Sequence, residues 1–259
     1  MSAPTSAPPS AANVFFVGDG THATPATHAA DATEAVEPTV IEARDAAGRL
    51  VTRAALVNGV PHGETVQYAP DGTALLRANY ALGLLDGALR TFDAHGQPVQ
   101  EAQYRAGLLD GAMSVYQDGR LAARHQYVAG VLHGERVTYA PSGLVTSRMT
   151  YEAGKLEREA VFLHEGVVVR RARYVKGRLE GETREYAASG TLAQSLPYHG
   201  DLLHGTARRY APDGTVTHER VYRLGKPQGD WRALDTAATN ADGARGPRMV
   251  KQLEKWVRG

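Results

Sequence analysis

The block Tyr80-Ala81-Leu82-Gly83-Leu84-Leu85-Asp86-Gly87 returns as Tyr104-Arg105-Ala106-Gly107-Leu108-Leu109-Asp110-Gly111 and as Tyr127-Val128-Ala129-Gly130-Val131-Leu132-His133-Gly134. Its form is Tyr-x-x-Gly-x-Leu-x-Gly. Unit starts fall at Leu56, Tyr80, Tyr104, Tyr127, Tyr151, Tyr174, Tyr198 and Tyr222, a spacing of 23 to 24 residues. A fixed period of this length means a repeat architecture, in which each unit is completed by its neighbours. A degenerate half-repeat, Val40-Ile41-Glu42-Ala43 followed by Asp45-Ala46-Ala47-Gly48, precedes the first full unit.

Each unit holds two strand-like runs separated by turn signals. Glu64 to Tyr68 is one run and Thr73 to Asn79 the next. Between them, in Ala69-Pro70-Asp71-Gly72, proline presets φ, aspartate bonds the local backbone and glycine supplies positive φ. Runs of this length between glycine-marked turns predict hairpins. The expected fold is all-β: an elongated single antiparallel meander of stacked hairpins. At about 4.8 Å per strand, some sixteen strands would extend roughly 75 Å.

All twelve tyrosines obey the period. Seven open a unit. Tyr68, Tyr116, Tyr139, Tyr186 and Tyr210 lie twelve residues after a unit start, with Phe92 and Leu163 in the same column. The expectation is a ladder of rings on one face, serving as the sheet's own core. Three residues before each unit start stands a second column: Arg77, Glu101, Arg124, Arg148, Arg171, Ser195 and Glu219. Strand alternation places it on the face opposite the tyrosine side chains. Arg90, Arg184 and Arg208 are candidates to lie nearby. This stripe reads either as a solvated outer face or as a docking surface for an acidic partner or an anionic lipid head group.

The repeat fails in places. Arg158 replaces the second glycine of the fifth unit, and in the seventh the first glycine arrives early, at Gly200. Both put the regular turn geometry in question. Shorter turns are expected at Gln117-Asp118-Gly119 and His164-Glu165-Gly166. The run Ala160-Val161-Phe162-Leu163 and the run Val167-Val168-Val169 are apolar at alternating and intervening positions alike, so this hairpin calls for cover on both faces. Phe162, Leu163 and Val168 are therefore partner-binding candidates, as are Arg77, Arg124, Arg148 and Arg171. The cover could be residues 14–17, a second copy of the chain meeting through residues 160–169, or another protein.

Outside the array, residues 1–31 are rich in Ala, Pro, Thr and Ser and read as a disordered tail. The array is placed at 32–234. Residues 235–259 read as a loop and a short amphipathic helix from Pro247, with Val250, Leu253, Trp256 and Val257 on one face, capping the last hairpin. A net charge of +1 and the lack of any strong block of like charge give no reason to expect nucleic acid. The absence of cysteine removes disulfides and thiol chemistry. No basic leader with an apolar core opens the sequence, so a cytoplasmic location is expected.

No phosphate-cradling glycine loop precedes a helix, since the glycine pairs belong to the repeat, and no serine sits in a nucleophile elbow. The chain therefore reads as non-enzymatic, with no cofactor. The seventh position of the unit (His62, Asp86, Asp110, His133, Glu157, Glu180, His204, Gln228) could line up metal ligands, but a turn flank explains it.

The recurring Tyr-x-x-Gly-x-Leu-(His/Asp/Glu)-Gly blocks, with the aromatic-turn-glycine blocks between them, resemble MORN repeats in the bacterial variant typified by YwqK-type predicted antitoxins. The resemblance covers about 200 of the 259 residues. It implies an interaction module. The expected role is that of an antitoxin or immunity protein sequestering a toxin or effector by steric occlusion. Alternatives are an effector adaptor or chaperone-like scaffold, and a peripheral binder of anionic lipid.

Overall fold

The computed structural model describes residues 37–234. Every regular element in it is a β-strand: 21 strand segments form one antiparallel sheet. Each strand pairs with the next, from Thr39–Arg44 against Leu50–Val57 to Val216–Arg223 against Arg232–Ala233. Some segments are halves of one strand; Val131–Leu132 and Gly134–Tyr139 both pair with Arg120–Val128 and part only at His133. Among the described residues the first and last strands have one neighbour each, so the meander is open. The expected tail, residues 14–17 and the C-terminal helix lie outside the described residues.

The two glycines of the repeat do different work. The first closes a two-residue turn. Tyr80 pairs with Leu85 and Ala81 with Leu84, which leaves Leu82 and Gly83 at φ 49° and 81°. Two positive φ values define a type I′ turn, whose twist matches that of the strands it joins. The same turn recurs at Ala106-Gly107, Ala129-Gly130, Ala153-Gly154, Lys176-Gly177 and Leu224-Gly225. The second glycine sits in a bulge. Ala78 pairs with Leu89 while Tyr80 pairs with Leu85, so one strand carries two extra residues around Gly87. Gly87 has φ 103°, and a Cβ there would lie 3.3 Å from that of Asn79; at Gly111 (φ 123°) the distance to the Gln103 Cβ would be 3.0 Å. Glycine is required by conformation and by space together.

Both irregular units keep this geometry, against the sequence expectation. Arg158 adopts φ 65° and pairs with Tyr174 just as Gly87 pairs with Tyr104. In the seventh unit Gly200 and Asp201 form the turn, at φ 55° and 70°, and Tyr198 still faces Leu203. Aspartate tolerates left-handed backbone, so exchanging the order of the pair costs little. At the opposite end of the strands, the Gly72 amide donates to the Ala69 carbonyl at 2.9 Å and the Ala69 amide to the Thr73 carbonyl at 2.8 Å. The shortened versions are the two-residue turns Asp118-Gly119 and Glu165-Gly166, where the sequence places them.

A single sheet must bury its core with its own side chains. The most buried positions carry small residues: Ala54, Ala78, Ala102, Ala160, Ala172 and Ala207 are all at most 3% exposed. Ala54, Thr65, Ala78, Leu89, Ala102 and Met113 are successive cross-strand neighbours on one face. Along the strand Ala78 is flanked on that face by Leu76 and Tyr80, both half-buried. A methyl group between larger neighbours is covered without a second layer.

Two substitutions test the turn and the bulge. Leu82 is 80% exposed and gains nothing from packing at φ 49°. Leu82→Asn is expected to raise stability by about 1 kcal/mol, read from the urea unfolding midpoint. Gly111→Ala is expected to lower it by about 1–3 kcal/mol in the same measurement.

Candidate docking face

The column read from sequence is half of a longer row. Following cross-strand partners from the first strand gives Glu42, Arg53, Val66, Arg77, Arg90, Glu101, Ser114, Arg124 and Val137. It continues through Arg148, Val161, Arg171, Arg184, Ser195, Arg208, Glu219 and Arg232. Arg90, Arg184 and Arg208 fill places between the residues three before each tyrosine. Nine arginines and three glutamates thus share one unbroken row on one face.

Flanking glutamates hold many of these guanidinium groups. Arg171 donates to Glu159 at 2.8 Å, Arg184 to Glu182 at 2.9 Å and Arg208 to Glu219 at 2.9 Å. Arg77 meets Glu64, and Arg148 meets Glu135, at 3.4 Å. Glu64, Glu135, Glu159 and Glu182 each stand two residues from a member of the row in the same strand, and therefore on the same face. Arg124 has no ion-pair partner among the described residues. Exposed pairs of this kind contribute only about 0–1 kcal/mol each, so they orient the guanidinium groups more than they stabilise the sheet.

The tyrosines divide between the faces, which corrects the expectation of a single ladder. The unit-opening residues Tyr80, Tyr104, Tyr127 and Tyr174 lie opposite the arginines, where burial raises their phenols above the ordinary value. The second column lies beside the arginines. The Tyr116 hydroxyl donates to Glu101 at 2.9 Å, and the Tyr210 and Ser195 hydroxyls are 3.1 Å apart; Glu101 and Ser195 both belong to the row. The bulge and two turns between the columns change which face a given spacing reaches, so a sequence offset of twelve cannot assign it.

The candidates in the apolar hairpin are split the same way. Phe162 is paired across strands with Arg170, whose guanidinium carbon lies 5.8 Å from the ring centroid. Leu163 pairs with Val168 and occupies the second-column place, on the arginine side. Phe162, Leu163, Val168 and Val169 are all half-buried, and only Val167 counts among the exposed large apolar residues, at 37%. The hairpin's apolar residues are thus covered in large part by the sheet itself, in particular by the Arg170 stem, which sequence pattern cannot reveal.

In six of the eight units the seventh position caps the next unit's turn. Asp86 accepts from the Ala106 amide at 3.0 Å, Glu157 from Lys176 at 2.6 Å and Glu180 from Gly200 at 2.9 Å. Asp110 does so at 3.3 Å, and His133 and His204 through Nδ1 at 3.5 and 3.4 Å. Acceptor capacity is what Asp, Glu and neutral His share. The sequence showed the column but not the residue, about twenty positions on, that each member serves.

Glu180 also meets His199 Nδ1 at 2.9 Å. Its carboxyl is held below the ordinary value of 4.5, first by the Gly200 amide and then by His199. A depressed carboxylate contributes stability that is complete above its unfolded value and is lost as the pH falls through the folded one. Glu180→Gln keeps an acceptor and removes the titration. Its stability deficit relative to wild type is expected at pH 7, should shrink as the pH falls below 4.5 and should vanish only below the depressed folded-state value, measured by urea unfolding at several pH values.

No protein family matches the chain, and no curated protein does. Among solved structures, one similar chain is a porin-like protein from Bacteroides uniformis, 13% identical, with a TM-score of 0.20 over 75% of this chain and 92% of that one. A likeness so distant carries no weight for fold or function.

Proposed function

We propose that this chain is a non-enzymatic binding protein that holds an acidic protein partner against its arginine-bearing face. It would block that partner by occlusion, as an antitoxin or immunity protein does. The observation that carries the reading is the arginine-rich row, nine arginines to three glutamates, with a column of half-buried tyrosines beside it. Arginine and tyrosine supply interface anchors more often than other residues, and a surface with an excess of one charge steers an oppositely charged partner into place. The resemblance of the repeats to the MORN variant of YwqK-type antitoxins supports the same role.

The test is co-expression with the product of the adjacent reading frame. Relief of its growth arrest and co-elution of the two proteins are expected. Arg124→Glu combined with Arg148→Glu should weaken the complex by on the order of tenfold or more, chiefly through slower association. Full rescue after this charge reversal would rule out the face. Salt-sensitive sedimentation with phosphatidylserine vesicles, in the absence of any protein complex, would put a membrane in the partner's place.

A further inference from the structure

The arginine face is not uniform. In the fifth and sixth units Arg158, Arg171, Arg173 and Arg184 line one open depression of ≈ 450 Å³, together with Glu159 and Glu182. Three unfavourable features meet there. Arg171 and Arg184 are direct cross-strand partners, and like charges placed opposite each other act against the sheet. Arg158 stands where each of the other seven units has glycine, and holds φ 65° to do so. Arg173 stands where other units carry the uncharged Asn79, Gln103, Gln126, Thr150, Pro197 and Val221, is exposed, and has no ion-pair partner among the described residues. Each feature costs stability or leaves a charge uncompensated, and backbone strain of the kind held at Arg158 collects at binding sites.

The existing ion pairs leave this depression able to bind. Glu159 fixes Arg171 at 2.8 Å, Glu182 fixes Arg184 at 2.9 Å, and Glu152, outside the depression, fixes Arg158 at 2.8 Å. Each contact uses one or two of the five N–H donors of a guanidinium, so the forks are oriented and still have donors free. Four positive groups against two negative ones leave an excess of two charges among the lining residues.

Resting on the partner reading above, we infer that this depression is the anchor point of the face and takes a pair of carboxylates from an acidic segment of the partner protein. Guanidinium forks pair bidentately with carboxylates. Glu159 and Glu182 stand within the depression and repel a densely charged polyanion. A segment whose acids are separated by neutral residues can pass between them.

The chain itself supplies the test variants. Arg158→Gly restores the residue of the other seven units and relieves the backbone, and Arg173→Gln installs the residue found at Gln103 and Gln126, so the double variant keeps the fold. The probe is a fluorescein-labelled peptide of alternating glutamate and serine, read by fluorescence anisotropy against the full chain. The double variant is expected to bind about tenfold more weakly than wild type, with an equal or higher urea midpoint; Arg49→Gln, in the first turn and outside the row, should change binding by less than about twofold. Equal affinity in the double variant overturns the inference. So does the absence of peptide binding by wild type, whether or not phosphatidylserine vesicles bind instead. A partner complex from the co-expression experiment that persists undiminished in the double variant would remove the anchor while leaving the face in place.

Discussion

The structure depends on how the I′ turns are tied down. In most hairpins the turn amides face water. Here the second turn residue donates its amide to a carbonyl of the preceding unit: Gly83 to Pro61, Gly107 to Leu85, Gly130 to Leu109, Gly154 to Leu132, Gly177 to Leu156, Asp201 to Leu179 and Gly225 to Leu203, at 2.7 to 3.0 Å. In every one of these turns but Leu82-Gly83, the first turn residue also donates to the seventh-position side chain of that same preceding unit. Six turns are thus bonded twice to the unit before them, and the ladder continues beyond the strand ends. The backbone part asks only for the left-handed pair, which is why Gly200-Asp201 serves as well as Leu82-Gly83. The side-chain part asks only for an acceptor, which is why Asp, Glu and His alternate in one column.

The sequence made the architecture legible because its markers are rigid. Glycine is needed at Gly87 and Gly111 for conformation and space, so the period shows through variable residues. The shortened turns at Asp118-Gly119 and Glu165-Gly166 were readable from the missing residue. Faces were harder to read. Strand alternation holds within a run, so the relation of Arg77 to Tyr80 came out correctly. It does not carry across a turn, so Tyr68 and Tyr80 share the twelve-residue spacing although their side chains lie on opposite sides. Contacts between units were not legible at all: nothing local marks Asp86 as the partner of the Ala106 amide, or Arg158 and Arg173 as neighbours.

The arginine row and the core follow different rules. The core sets small residues, Ala54, Thr65, Ala78 and Ala102, among larger apolar ones such as Leu89 and Met113. The row accepts Arg, Glu, Ser and Val, and even sets Arg77 against Arg90 and Arg171 against Arg184. Since exposed ion pairs add about 0–1 kcal/mol each, stability does not dictate this composition. The row can vary because the turns and the alanine row carry the fold without it.

The row also sets a ruler. Because it takes one residue from every strand, its charges are spaced at the interstrand distance of about 4.8 Å. An extended peptide presents same-face side chains at twice its rise, roughly 6.8 Å, and falls out of step almost at once. An α-helix laid along the row repeats a face every ~5.4 Å and stays in phase over several strands. Twist of the sheet then limits how far a straight rod can follow. The length of contact is set by the pitch of two secondary structures before any individual charge pair is considered.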